Sequence, residues 1–361
     1  MINNPQKIDA IDNVSFTNRR IDRDYHLDWL RALIVFLLIP YHTAIMFEAG
    51  NPLGWINNSS SSLIATSFVQ ILDQFQMPLI FTIAGIAAWF SLARRTGKQY
   101  FFERLGRLFV PLIFGILIVN VPIYYISLLY HHIGGSYNNS YLIWYKAYIK
   151  TMLFPWQKNW TPETMWFIWY LLIYSIALLP LFLFWRRKIN ADVYIKIGKY
   201  FEKRGIFLFL LFLAFFPVVV QVYSLPNFYS VFRISYFIFF YIYGFFLYSS
   251  KQIQQSIEKS GFIILAIGVI SIILVMLLII PSTTSAPLAV YWHFFGNGSG
   301  IGGEILYLML RGVSCWFTIV GLIFVARKFA NFSNKFLRYA NEAVLPFYLM
   351  HATFIRGGPH C

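Results

Sequence analysis

The most regular feature of the chain is a series of long apolar runs separated by short polar segments. A helix that spans the hydrocarbon core of a bilayer needs roughly 20 mostly apolar residues. Nine runs fit this rule, the last of them only narrowly, at about 27–49, 63–92, 107–129, 164–185, 205–224, 228–248, 260–281, 304–326 and 342–357. Spanning β-strands would alternate apolar and polar positions, whereas these runs are continuously apolar. We therefore predict an all-α polytopic bundle, with residues 27–357 as one transmembrane domain.

Composition agrees with a chain whose outer surface faces lipid. It is 58% hydrophobic, 20% aromatic and only 12% charged, where a soluble domain carries roughly 25% charged residues. Residues 141–157 form a shorter segment in which aromatic residues and Lys recur at helical spacing. This pattern predicts a helix that lies in the outer membrane interface rather than crossing the bilayer.

Basic residues alternate between successive polar segments. Lys and Arg are concentrated in 1–26, 93–107, 186–204 and 327–341, whereas 49–62, 225–227 and 282–303 contain none. If all nine runs span, every basic segment falls on one side, and the positive-inside rule makes that side cytoplasmic. We therefore predict a multi-pass protein of the inner or plasma membrane, with 1–26 as a cytoplasmic N-terminal segment. The net charge of +15 then reflects topology, and we expect the lipid bilayer rather than nucleic acid as its partner.

The first apolar run contains an arginine and a histidine, Arg31 and His42. Such groups are costly inside a membrane and are therefore candidates for function. They are eleven residues apart, which places them on one helix face about 16 Å apart. That face suits a long ligand whose anionic part meets Arg31 and whose reactive end meets His42. In the alternative, His42 hydrogen-bonds a neighbouring helix and Arg31 only extends to the interface. Asp28 is expected to pair with Arg31 or to cap the helix.

A second basic pair, Arg104 and Arg107, precedes the third run. The residues are three apart, so we expect them to share one helix face. Guanidinium groups bind phosphates through paired hydrogen bonds, and the pair is therefore a candidate phosphate clamp. The alternative is simple anchoring of the span on its cytoplasmic side.

Other polar residues in the runs give weaker indications. Asp73 belongs to a polar stripe for which packing between helices is the expected role. Glu163 begins the fourth run, and His351 lies in the last. The spacing of Cys, His and carboxylate residues matches no metal-binding motif, so we predict no metal site.

Taken together, these motifs resemble the membrane acyltransferase-3 family, which includes bacterial O-acyltransferases and the glucan succinyltransferase type. The segment RDYHLDWLRALIVFLLIPYH carries the family's Arg-x10-His pattern on Arg31 and His42, and Arg104 and Arg107 carry its Arg-x-x-Arg pattern. The segments MWFIWYLL, which contains Trp166, and VLPFYLMH, which ends at His351, are also similar to family segments.

This resemblance implies a cytoplasmic acyl-CoA donor as co-substrate, no permanently bound cofactor, and a carbohydrate acceptor on the outer side of the membrane. The acyl group is acetyl by expectation, and succinyl stays open. His42 would be the catalytic base, and Arg31, Arg104 and Arg107 would serve the donor. An acceptor or supporting site would comprise Glu163, Trp166, Asp73 and His351. The rival interpretation is a transporter or flippase for an envelope-related anionic or lipid-linked solute.

The C-terminal end departs from the family pattern. The family usually has ten or more spans, whereas this sequence ends in RGGPHC soon after the ninth run. That composition is a poor outer half of a membrane helix. We therefore interpret residues 358–361 as an anomalous tail left by truncation or by a shifted reading frame.

Overall fold

A computed structural model describes residues 24–48, 61–122, 125, 141–152, 163–188, 206–222, 229–279 and 300–356. Most of the predicted N-terminal segment and the whole of 358–361 lie outside these ranges. In the part of the chain that is described, all regular elements are helical, which confirms the predicted all-α fold. In chain order the helices are α1 (Tyr25–Phe36), α2 (Leu38–Ile45), α3 (Leu63–Asp73), α4 (Gln76–Arg94), α5 (Gly97–Arg104), α6 (Val110–Phe114), α7 (Tyr141–Met152), α8 (Trp166–Ala177), α9 (Leu179–Lys188), α10 (Ile206–Val222), α11 (Tyr229–Leu247), α12 (Lys251–Ile279), α13 (Gly300–Phe329) and α14 (Lys335–Arg356).

Several of these helices have the length and apolar character of membrane spans. Within the described ranges five qualify, namely Tyr25–Ile45, Leu63–Arg94, Gly97–Pro122, Lys251–Leu277 and Leu306–Phe329. Helices α8 and α9 form a sixth if the pair, bent by 45°, is one span. Helices α10, α11 and α14 coincide with the predicted runs 205–224, 228–248 and 342–357. The protein is therefore a helical membrane protein, and the count of nine spans stays a prediction.

The third span begins earlier than the apolar run predicted. Its helix starts at Gly97 because Thr96 and Gln99 form a capping box that satisfies exposed backbone N–H groups. Arg104 therefore lies inside the helix and not before it. Immediately afterwards the backbone changes to a π-helix over Leu105–Phe109, and a second π-helix covers Gly115–Val119. Such wide turns are rare and often occur at functional positions.

The last described helix, α14, packs along the first span in the same chain direction. Arg31 donates to Asn341 at one end of the contact, and the rings of Phe36 and Phe347 meet edge to face at 4.7 Å near its middle. The two contacts follow the same order along both helices, so α14 and the first span are parallel.

A close crossing joins α4 to α11. A Cβ atom at Gly85 would lie 2.0 Å from the carbonyl oxygen of Tyr241, and one at Gly244 would lie 2.0 Å from that of Thr82. The two backbones therefore touch at a point that only glycine permits. Small residues allow such contact between membrane helices, where dispersion rather than the hydrophobic effect drives association.

The Arg-rich ends of the helices collect at one end of the bundle, which we call the basic end. Tyr248, which follows α11, hydrogen-bonds His26 at 2.6 Å and lies 5.6 Å from the ring of Phe90. Nearby, Arg186 donates to the carbonyl oxygen of Leu92. The basic end carries Arg95, Arg107, Arg186 and Arg327.

Helix α7, which lies within the predicted interfacial segment 141–157, is attached to the third span by tyrosine hydroxyls. Tyr148 donates to the carbonyl oxygen of Ile116 at 2.8 Å, and Tyr145 donates to that of Leu117 at 3.1 Å. Both acceptors belong to the second π-helix, where the usual helical hydrogen-bond pattern is changed. The hydroxyls thus satisfy carbonyl groups that would be costly to leave bare in lipid.

Candidate active site

His42 is held in a defined orientation by its own helix. Its Nδ1 lies 2.8 Å from the carbonyl oxygen of Leu38, one turn earlier. A carbonyl oxygen only accepts hydrogen bonds, so Nδ1 carries the hydrogen and Nε2 keeps the lone pair in the neutral ring. The side chain is partly buried. The arrangement leaves His42 able to accept a proton through Nε2.

A second histidine lies beside the first. The ring centres of His42 and His351 are 4.8 Å apart, with their planes inclined by 59°. His351 is only 4% exposed, and its Nδ1 donates to the carbonyl oxygen of Tyr348 at 2.5 Å. The structure therefore brings together two of the predicted site residues that are far apart in sequence.

Tyr41 connects His42 to a carboxylate on the second span. Its ring meets His42 edge to face at 5.0 Å, and its hydroxyl donates to Oδ1 of Asp73. Asp73 is exposed, unlike most of its helix. We call Tyr41, His42, Asp73 and His351 the histidine cluster.

A buried carboxyl group, Glu48, lies three residues beyond the end of the first span and was not identified from the sequence. It is 7% exposed and accepts a hydrogen bond of 2.8 Å from Gln70. Burial raises the pKa of Glu48 to about 7; the hydrogen bond from Gln70 opposes this shift, and the charge of Asp73 adds to it. The carboxyl therefore changes charge near neutral pH. The sequence signal that could have identified Glu48 is an acidic residue shortly after His42, at the end of an apolar run.

Arg31 lies toward the basic end of the same helix face. Its guanidinium pairs with Asp28 at 3.2 Å, as the spacing predicted, and donates to Asn341 at 2.8 Å. Because Asn341 and His351 both belong to α14, Arg31 and His42 contact the same neighbouring helix. This observation agrees with the predicted shared face.

Arg104 and Arg107 differ in their surroundings. The guanidinium of Arg104 lies over the ring of Tyr100, 5.0 Å from its centre, and the Tyr100 hydroxyl meets that of Tyr241 at 3.0 Å inside the bundle. Arg107 is 73% exposed and pairs with Glu103 at 3.3 Å. The π-helix that starts at Leu105 changes the rotation per residue, so the Arg104 and Arg107 side chains do not share one helix face as their spacing predicted. The pair is thus one inward and one outward guanidinium.

Glu103 also joins Arg107 to a further cation. Its carboxylate lies 2.8 Å from Nε of Arg95, which is itself 40% exposed. The outward face at this point therefore presents two guanidinium groups around one carboxylate. Such a group of cations is suited to a phosphate-bearing ligand.

Trp166, another predicted site residue, is not placed with the histidine cluster, and the position of the Glu163 side chain is not described. Trp166 packs in an aromatic core, with ring centres 5.3 Å from Phe237 and 5.4 Å from Tyr170. Glu163 begins a short 3-10 helix that precedes α8, and its side chain lies outside the described part of the structure.

The site also depends on residues that the sequence did not single out. Tyr348 donates through its hydroxyl to the carbonyl oxygen of Thr164 at 2.6 Å, and the Thr164 hydroxyl donates to Asn120. These bonds tie the His351 helix to the third and fourth spans. A sequence offers little sign of them because their partners are distant in the chain.

The chain is similar to one family of known proteins. A family profile described as an acyltransferase domain, acyltransferase-3, matches residues 24–357. Glucans biosynthesis protein C of Escherichia coli K12 is 29% identical over 101 residues, which are 28% of this chain and 26% of that protein. The protein of the same name from Escherichia coli O1:K1 / APEC is 28% identical over 101 residues, with the same coverage. The chain thus aligns with about a quarter of the length of these curated relatives, and no solved structure matches it.

The matched range, residues 24–357, includes His42, Arg104, Arg107 and His351. This chain belongs to the acyltransferase-3 family of membrane proteins.

Proposed function

We propose that the protein is a membrane O-acyltransferase that moves an acyl group from cytoplasmic acyl-CoA to a hydroxyl of an extracytoplasmic carbohydrate. Acetyl is the first candidate for the acyl group, and succinyl is the second. The family assignment supports the reaction class. The observation that carries the proposal is the orientation of His42, whose Nδ1 bond to Leu38 leaves Nε2 as a base within a polar cluster in the membrane.

The chemistry requires a base because a sugar hydroxyl is a weak nucleophile while it keeps its proton. Neutral imidazole accepts a proton near physiological pH, and a positioned base typically contributes about 10²–10⁴-fold to such a reaction. In the proposed step, His42 Nε2 takes the hydroxyl proton while the oxygen attacks the thioester carbonyl carbon. The carbon–sulfur bond then breaks, and the thiolate leaves with a proton returned from the site.

The donor is proposed to enter from the basic end. Arg107 and Arg95 offer outward guanidinium groups to its phosphates, whereas Arg104 holds the third span against Tyr100. Arg31 lies between this end and the histidine cluster on the first span. Together these residues give an anionic donor a path of positive charge toward His42.

We place the basic end in the cytoplasm of a cell whose inner or plasma membrane holds the protein. Positive residues concentrate on the cytoplasmic side of membrane proteins. The histidine cluster then lies toward the outer side, where the envelope carbohydrate is the acceptor and Asp73 is available to bind its hydroxyl groups.

The proposal is tested with membrane vesicles that contain the protein and are supplied with acetyl-CoA or succinyl-CoA labelled in the acyl group. We expect label to appear in envelope carbohydrate, in a form that mild base releases as an ester. Label that stays on CoA, with none in the carbohydrate, would contradict the proposal and leave the transporter interpretation in its place. Vesicles without the protein provide the background.

A further inference from the structure

The second histidine of the cluster has the same internal arrangement as the first. His351 donates through Nδ1 to the Tyr348 carbonyl oxygen, just as His42 donates to that of Leu38. Since both acceptors are carbonyl groups, Nε2 is the exchangeable position in each ring. Two rings with centres 4.8 Å apart are within reach of a direct hydrogen bond or of one bridging water.

With His42 as the only acid–base group, no residue is assigned to protonate the leaving sulfur. The acceptor hydroxyl loses a proton at the moment of attack, whereas the sulfur gains one as it departs. When one of two neighbouring imidazoles carries a proton, protonation of the second is opposed by like charge. A pair that keeps one proton has one member ready to accept and the other ready to donate.

We propose that His351 is the general acid that works with His42, an inference that rests on the proposed function. His42 Nε2 takes the hydroxyl proton as the new carbon–oxygen bond forms. Protonated His351 gives its Nε2 proton to the sulfur as the carbon–sulfur bond breaks. The proton then passes from His42 to His351, so the pair ends with the one proton it began with.

The position of His351 is fixed well enough for this role. The residue is buried, and the Tyr348 hydroxyl holds its helix to the carbonyl oxygen of Thr164 at 2.6 Å. At the residue before Tyr348, the helix also contacts the first span through Phe347 and Phe36. His351 is therefore held beside His42 by contacts on both sides.

The test compares His351→Asn with the unaltered protein on two donors, acyl-CoA and its selenium analogue. Asparagine can keep the hydrogen bond to the Tyr348 carbonyl while removing Nε2. A selenol is a stronger acid than a thiol, so its anion leaves without help from a proton donor. We expect His351→Asn to lose roughly 10²-fold or more with the thioester and far less with the selenoester, whereas His42→Asn loses activity equally with both.

Thr353→Val on the same helix is the matched control, since it removes only a hydrogen bond to the Val119 carbonyl. Equal losses on both donors for His351→Asn, or no loss on either, would overturn the proposal. His351→Gln is measured in the same way, so that a folding defect in one variant does not decide the result. No transfer by the unaltered protein from either donor would instead contradict the proposed function.

Discussion

The imidazole rings of His42 and His351 face each other at 4.8 Å although they come from the two ends of the described chain. The contact results from parallel packing of α14 along the first span, with Arg31 and Asn341 in contact at the other end. The cluster therefore forms only where α14 packs against the first span. Any account of this protein's activity has to treat α14 as part of the site.

Replacing Arg107 by Gln should weaken donor binding with little change in stability. The side chain is exposed, and one charge-assisted hydrogen bond to a phosphate is worth about 1.5–3 kcal/mol, or roughly a tenfold rise or more in KM for acyl-CoA. Steady-state kinetics with labelled acyl-CoA measures this change. Lys98→Gln is the matched control because Lys98 is an exposed cation on the same helix.

Replacing Arg104 by Gln should instead reduce the amount of folded protein. Its guanidinium packs on Tyr100 inside the bundle, and loss of a partly buried cation from an aromatic partner commonly costs about 1–2 kcal/mol. Thermal unfolding of the purified protein checks this result. A variant with unchanged stability and a raised KM would show that Arg104 acts on the donor directly.

Glu48 should make the stability of the protein depend on pH. Its pKa in the folded state is about 7, against an ordinary value of 4.5, so the folded state binds the proton more tightly than the unfolded state. This difference in proton affinity contributes to the free energy of unfolding at low pH. The contribution, up to about 3 kcal/mol, is lost as pH rises to the folded-state pKa of about 7. Thermal unfolding should show a fall in stability between about pH 4.5 and about pH 7 that is smaller in Glu48→Gln.

The control for this prediction is Glu342→Gln, which removes an exposed carboxylate. It should keep the pH dependence of the unaltered protein. The same slope in Glu48→Gln and in the unaltered protein would show that Glu48 does not titrate in this way.

A methyl group at Gly85 or Gly244 should destabilise the bundle. In either position the added Cβ would lie 2.0 Å from a carbonyl oxygen on the partner helix, so α4 and α11 would have to separate. Overpacking of this kind costs about 1–3 kcal/mol or more. Gly106→Ala meets open space and should unfold at nearly the same temperature as the unaltered protein. Equal unfolding temperatures for Gly85→Ala and Gly106→Ala would rule out the close crossing.

The helical fold was predictable because the bilayer imposes it. In lipid, an apolar run of this length can satisfy its backbone hydrogen bonds within the segment only as a helix. The runs at 63–92 and 304–326 accordingly fall within helices close to the predicted limits. The shared face of Arg31 and His42 was also predictable, because their spacing within one helix is enough to place both side chains on the same side.

Contacts between distant helices were not predictable in the same way. Nothing in the sequence near His42 indicates that His351 lies beside it, because the partner is chosen by packing of the whole bundle. The divergence of Arg104 and Arg107 depends on a π-helix that begins at Leu105, and hydrophobic periodicity gives no sign of it. The burial of Glu48 was not predictable either, because it depends on contact with Gln70 from the next helix.

The assignment of His42 as the base is tested most directly by the rate of acyl transfer from labelled acyl-CoA to carbohydrate in vesicles that contain the His42→Asn variant. This substitution can keep the hydrogen bond to the Leu38 carbonyl and removes Nε2. Thr43→Ala, which changes an exposed neighbour, is measured beside it at equal protein level in the membrane. We expect a loss of roughly 10²-fold or more for His42→Asn and a rate close to that of the unaltered protein for Thr43→Ala. Transfer by His42→Asn at a rate similar to that of Thr43→Ala would contradict the assignment of His42 as the base.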